Sequence, residues 1–243
     1  MQIAPHDAHY EVRLLSARNG SGIERVTGDM AVRWEQDCSG WTMIHRTVFE
    51  VGYSTGSDVR VTIDASTWES GDGTSYSFLL RTRYDDREAG RVEGHAHADG
   101  SRDTAVFTLP EQKTLSLPRD VLFPTQHTRK IIDAAKDAPA TLAAQMFDGF
   151  TENGAQLVNA VIGRAIPADG PEKVGFPVLS GRTSWPVQLA FFTQNDEAEP
   201  ESEIGMRLYD NGVADGLDMD FGEFRVHAVL RHLEVSAPPA CRG

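Results

Sequence analysis

Nowhere in these 243 residues is there an apolar run long enough to span a bilayer. Behind Met1 there is neither a basic segment nor an apolar core, because the chain goes straight into Gln2, Ile3, Ala4 and Pro5. Either the protein is cytoplasmic or an export signal has already been removed. Basic residues are scarce, 23 against 36 acidic ones, which gives a formal charge of -13. A field of that sign repels phosphate backbones and anionic lipid surfaces, so nucleic acid is not an expected partner. Also missing are a G-x-S-x-G elbow, a P-loop and a dinucleotide fingerprint leading into a helix. Their absence argues against an enzyme, and no cofactor is expected. No internal repeat, low-complexity tract or shift in composition marks a second domain. A chain of this length with 40% hydrophobic residues can bury one sizeable core. We expect a single domain over residues 1–243.

Cysteine occurs only twice. Cys38 ends an early strand beside a Ser39-Gly40 turn, and Cys241 stands in a Pro238-Pro239-Ala240 tail that nothing else in the sequence anchors. A bridge between them would close a very long loop, a constraint worth roughly 5 kcal/mol in the chain-entropy model. The alternative is two unrelated buried thiols. A bridge would place the protein in an oxidising compartment.

What the sequence does contain is alternation. Tyr10, Val12 and Leu14 fall on one parity with His9, Glu11 and Arg13 on the other, the pattern of a half-buried strand. After Asn19-Gly20-Ser21-Gly22 the alternation resumes with Val26, Met30, Val32 and Trp34 inward. Strands follow over Trp41–Tyr53, Val59–Ala65, Tyr76–Thr82, Arg91–Ala98 and Thr104–Leu109, a meander of seven. Farther on, Leu142–Phe147 and Leu157–Ile166 flank Asn153-Gly154 as a hairpin. Pro167 to Arg182 reads as an irregular connection. Further strands run through Trp185–Phe191 and, after an acidic turn from Asn195 to Glu203, through Ile204–Leu208. A last long strand changes phase at Gly222, as a bulge or sharp bend requires.

Helical spacing appears in one place. Over about 125–138, Ile131, Ile132, Ala135 and Ala138 share one side, and Arg129, Lys130, Asp133 and Lys136 share the other. Thr125 is placed to cap the first amides, Pro124 to open the helix and Pro139 to stop it. Long strands, regular turns and a built-in bend together predict a mainly β fold: a strongly curled antiparallel sheet, a β-spiral resembling an open barrel, wrapped around one central helix.

Candidate sites are few. His95, His97 and Asp99 open like a zinc-hydrolase motif, but they share a polar face with Arg91 and Glu93, and Gly100 stands where that motif places another histidine. No metal is expected there. His227 and His232 read as surface histidines. Asp210, Asp215, Asp218 and Asp220 lack calcium-loop spacing. Trp34, Trp41, Phe49, Tyr76, Phe78, Trp185, Phe191 and Phe221 lie on inward parities and read as core. A curled sheet closed by one helix can also leave an apolar cavity.

Several segments in order resemble the EipB-like family of cell-envelope-integrity proteins. They are Ile3-Ala4-Pro5-His6 ahead of a strand near Tyr10, Cys38-Ser39-Gly40-Trp41, LFPTQH at Leu122–His127, SWPV at Ser184–Val187, LYDNG at Leu208–Gly212, DFGEF at Asp220–Phe224, and Cys241. The resemblance runs nearly end to end. It implies export to the periplasm, a Cys38–Cys241 disulfide and a β-spiral similar in shape to the lipoprotein carriers LolA and LolB. It supplies no catalytic residues. The expected role is non-enzymatic maintenance of the envelope, by holding a lipid, a lipoprotein or a hydrophobic peptide on the concave face of the sheet. The alternative is a scaffold with a packed interior that docks envelope proteins. An envelope hydrolase with an unrecognised site stands third.

Overall fold

The computed structural model describes residues 3–167, 175–193 and 199–241. Eight strands precede the helix: β1 (His6–Ala17), β2 (Ile23–Gln36), β3 (Gly40–Tyr53), β4 (Val59–Ser70), β5 (Ser75–Tyr84), β6 (Arg87–His97), β7 (Thr104–Leu109) and β8 (Lys113–Ser116). After α1 (Pro124–Ala134) come β9 (Ala140–Met146), β10 (Gln156–Ile162), β11 (Ser184–Phe192), β12 (Ser202–Tyr209), β13 (Ala214–Asp220) and β14 (Phe224–Val235). The short β8 has no alternation long enough to read from sequence. Residues 168–174 of the irregular stretch from Pro167 to Arg182, and residues 195–198 of the acidic turn, lie outside the described residues.

All fourteen strands form one antiparallel sheet in the order β8-β7-β6-β5-β4-β3-β2-β1-β14-β13-β12-β11-β10-β9. β1 and β14 pair at its centre, with Tyr10 opposite Leu230 and Val12 opposite Ala228. The order has two ends, and no ladder joins β8 to β9. This corrects the expected spiral: the sheet is open, neither closed nor strongly curled, with one short helix on one face. The physical reason lies partly at the edges. The outer side of β9 is taken by Leu122, which donates its N–H to the Gln145 carbonyl (2.9 Å) and accepts the Phe147 N–H (2.9 Å). The bend from which curvature was inferred is also not a bend. Gly222, at φ +80°, turns the chain through a hairpin, so the supposed single last strand is β13 paired against β14.

The helix is shorter than the expected 125–138. Ala138 precedes Pro139 and is extended (φ −61°, ψ 145°), so only a 3-10 turn, Ala135–Asp137, follows Ala134. The capping assignment is corrected as well. Phe123 occupies the cap position without a side-chain cap bond, and Thr125 lies inside the first turn.

Strand parity sorts the sheet into two faces. The helix-bearing face carries Tyr10, Val12, Val26, Phe49, Tyr76, Phe78, Phe107, Val158 and Trp185, all buried. Ile131 and Ile132 of α1, with Ala135 of the 3-10 turn that follows, pack with Trp41, Trp185 and Val158 in one cluster. A second cluster joins Tyr10, Val12 and Phe49 to Tyr209 and Val213. A third stacks Phe123 on Tyr76 (4.9 Å between centroids) beside Phe78, Phe107 and Phe147. A side chain at Gly149 would lie 2.3 Å from the Phe78 ring, so that loop closes on the cluster only with glycine there. Of the aromatics assigned to the core, Phe221 is 45% exposed, resting against Phe224 at the turn. Trp34 and Phe191 are half-buried.

Cys38 and Cys241 are bonded to each other with Cα atoms 5.5 Å apart, across 203 positions of sequence. Both are exposed, so the bridge fastens the tail to the turn that opens β3 without adding to the core. Reduction is expected to lower the unfolding midpoint and leave residues after Val235 open to proteolysis. The stabilisation lost is at most about 5 kcal/mol by loop entropy. Two thiols titrating in native, unreduced protein would contradict the assignment.

Candidate functional site

The helix meets the sheet over a row of three cross-strand neighbours, Trp41 on β3, Glu69 on β4 and Tyr76 on β5. Glu69 is 2% exposed, and both its oxygens are engaged. Oε2 accepts the Thr125 N–H at 2.7 Å and Oε1 the Gln126 N–H at 3.0 Å. These are amides that a helix start leaves unbonded, and the anionic carboxylate also suits the positive end of the helix dipole. Burial nevertheless pushes the Glu69 carboxyl up, against the lowering effect of those bonds and of Arg129. Arg129 lies over the Trp41 ring at 5.7 Å. Sequence reading missed Glu69, although the odd parity that turns Ile63, Ala65 and Thr67 of β4 toward the helix carries on to it.

A buried carboxylate beside a buried tyrosine invites comparison with a hydrolase centre. The Tyr76 hydroxyl donates to the Asp148 carbonyl (3.0 Å), and the Asp148 carboxylate accepts the Phe150 N–H (2.9 Å). Desolvation pushes up the pKa values of both Tyr76 and Asp148. Every one of these carboxylates is committed to backbone amides. Glu69 also engages the Thr125 side chain, on the same helix turn whose amides it holds, so the cluster serves the structure.

The other candidates disperse. Ala96 is buried, while His95 and His97 are exposed on the opposite face, with His97 Nε2 3.2 Å from Asp99. Asp210 pairs with Arg182 (2.9 Å), Asp220 with Arg225 (3.5 Å) and Asp218 with His227 (2.5 Å), and Asp215 accepts the Tyr209 hydroxyl (2.7 Å). His232 lies 3.1 Å from Glu234. Among the described residues no three histidine, cysteine or carboxylate side chains gather as a metal would require. Among them, too, no helix is long and apolar enough to cross a membrane.

What remains is a sheet protein with an apolar face, one latched helix and, among the described residues, no catalytic constellation. The chain belongs to the EipB-like family, whose profile matches residues 1–237. It is 28% identical over 242 residues to the cell envelope integrity protein EipB of Brucella abortus (strain 2308), covering 97% of this chain and 85% of that protein. The crystal structure of a beta-barrel-like protein of a domain of unknown function from Brucella abortus superposes with a TM-score of 0.89 at 25% identity, over 97% of this chain and 99% of the other. This is a non-enzymatic periplasmic protein of cell-envelope integrity.

Replacing Glu69 by Ala strands two helix amides and opens a void, and should cost about 3 kcal/mol in urea unfolding. Glu69→Gln, which keeps one acceptor oxygen, should cost less. A second expectation concerns acid. His127 on α1 is 3% exposed, and desolvation, helped by Lys130, lowers its pKa to about 4. The unfolded chain, with a pKa near 6.5, takes up the proton first, so stability falls as pH drops from 6.5 toward 4. The full loss from this group is on the order of 3 kcal/mol. His6 and His45 are shifted the same way by burial, so His127→Gln should flatten the acid limb of a stability-pH curve without abolishing it.

Proposed function

We propose that the chain serves the envelope by holding an apolar or acylated ligand, a lipid or the lipid or hydrophobic segment of a protein, against its helix-bearing face. One observation carries this reading. The buried clusters do not cover that face: Met43, Ile63 and Leu80 on β3, β4 and β5, and Phe191, Ile204 and Met206 on β11 and β12, point the same way as the core yet stay half-exposed. Apolar area left in contact with water costs roughly 25 cal/mol per Å² relative to burial, so a ligand that covered the band would gain that amount. The continuous ladder supports treating residues 1–243 as one domain.

The scaffold reading has its own supporting feature on the outer face. Ile44 is 43% exposed, and nearby Trp68 and Leu79 line a cleft of about 410 Å³ with Ser66, Ser77 and His95. Adjacent residues separate the two readings, because Met43 and Ile44 occupy opposite faces of β3. Met43→Glu should abolish binding of an apolar fluorescent probe and Ile44→Glu should leave it intact, both variants remaining folded by circular dichroism. Native protein that takes up no probe would defeat the ligand-holding reading in favour of the scaffold.

A further inference from the structure

Three indole groups bear on the helix-bearing face with nothing to donate to. Trp41 is 1% exposed and Trp185 4% exposed. Their Nε1 atoms, and that of Trp34, are fully buried without a hydrogen-bond partner among the described residues. An indole nitrogen can only donate, and a buried donor without an acceptor is costly, so three in one protein call for an explanation. Trp34 and Trp41 meet edge to face at 5.9 Å. Over Trp41, at 5.7 Å, lies the guanidinium of half-buried Arg129. None of the ion pairs found among the described residues involves Arg129. Glu69, whose carboxyl feels the charge of Arg129, has both oxygens on the helix amides. The cluster therefore offers two N–H donors and a cation with no acceptor of its own, at the border of the half-covered apolar band that includes Met43, a neighbour of Trp34 across β2 and β3.

We infer that Trp34, Trp41 and Arg129 form the head-group end of the ligand site, and that the ligand is a straight-chain amphiphile ending in a carboxylate, its chain lying along the half-covered apolar band. The inference rests on the ligand-holding reading above and adds what the head of the ligand must be. Carboxylate oxygens match the cluster in charge and in acceptor number. A hydrocarbon or an alcohol would leave the guanidinium unmatched.

Binding of dodecanoate and of 1-dodecanol to the delipidated full chain at pH 8, by calorimetry, tests this, with acetate as a competitor. Native protein should bind dodecanoate at least about ten-fold more tightly than the alcohol, the effect of one hydrogen bond to a charged group. Arg129→Met should remove that preference and leave the affinity for the alcohol unchanged. Trp41→Phe, which keeps the ring and deletes the donor, should weaken dodecanoate alone without lowering the unfolding midpoint. Trp34→Phe provides the same test at a less buried position. Equal binding of the two compounds by native protein, a preference that survives in Arg129→Met, or displacement by acetate at the concentration of dodecanoate would each overturn the head-group assignment while leaving the ligand-holding reading in place. If neither chain binds, both fall.

Discussion

The bond between one carboxylate and two amides decides how this chain is put together. Glu69 reaches from the middle of the sheet to the first turn of α1, and the helix has no side-chain cap of its own. An eleven-residue helix is marginal alone in water. Its apolar side and its N-terminus are therefore satisfied by the sheet together or not at all. With the amides held, Phe123 falls onto Tyr76, Arg129 onto Trp41, and Ile131 and Ile132 into the cluster with Trp185. Residues from β3, β4, β5 and β11 are thereby tied to one point, although β11 and β3 are far apart in the strand order.

That arrangement also explains why the two faces differ in character. On the outer face charges are interleaved, as in Asp7 with Arg33, Glu11 with Arg231 and Asp64 with Arg83. Such exposed pairs add little stability each, but they keep the strands soluble and in register. On the other face one short helix cannot cover fourteen strands. Residues it leaves partly exposed, among them Ile63, Phe191, Ile204 and Met206, pack on the rims of the buried clusters, and it is there that a ligand has area to gain.

Much of the β-structure was legible because alternation is local. Tyr10 and Val12, Val26 and Met30, and Trp185 and Val187 could be assigned to the covered face from parity alone, and all six are buried. The family was legible from short segments in order. Curvature was not, because it depends on how edges meet, and the bridge from Leu122 to β9 leaves no trace in periodicity. Gly222 misled for a related reason: a change of phase looks the same whether the chain bends within a strand or reverses into a new one. The helix end was read too far because alanine at position 138 fits the stripe, while the constraint acting on it belongs to Pro139. Glu69 was hidden because a carboxylate on an inward parity looks like an exception to the pattern until its partners are known.

The features that make this protein costly to fold are concentrated on the same face. Donors without acceptors at Trp34, Trp41 and Trp185, a neutral buried histidine at position 127 and apolar side chains short of cover each reduce the stability of the free chain. The Cys38–Cys241 bridge offsets part of this through the unfolded state, at a surface position where it leaves the face unobstructed. A ligand that accepts those hydrogen bonds and covers that area binds the folded state alone, and so stabilises it in proportion to the logarithm of its concentration over Kd. Filling the face with protein side chains would raise stability in the free state and remove this coupling. The incomplete core is thus the property by which occupancy could be sensed as a change in the fold's stability.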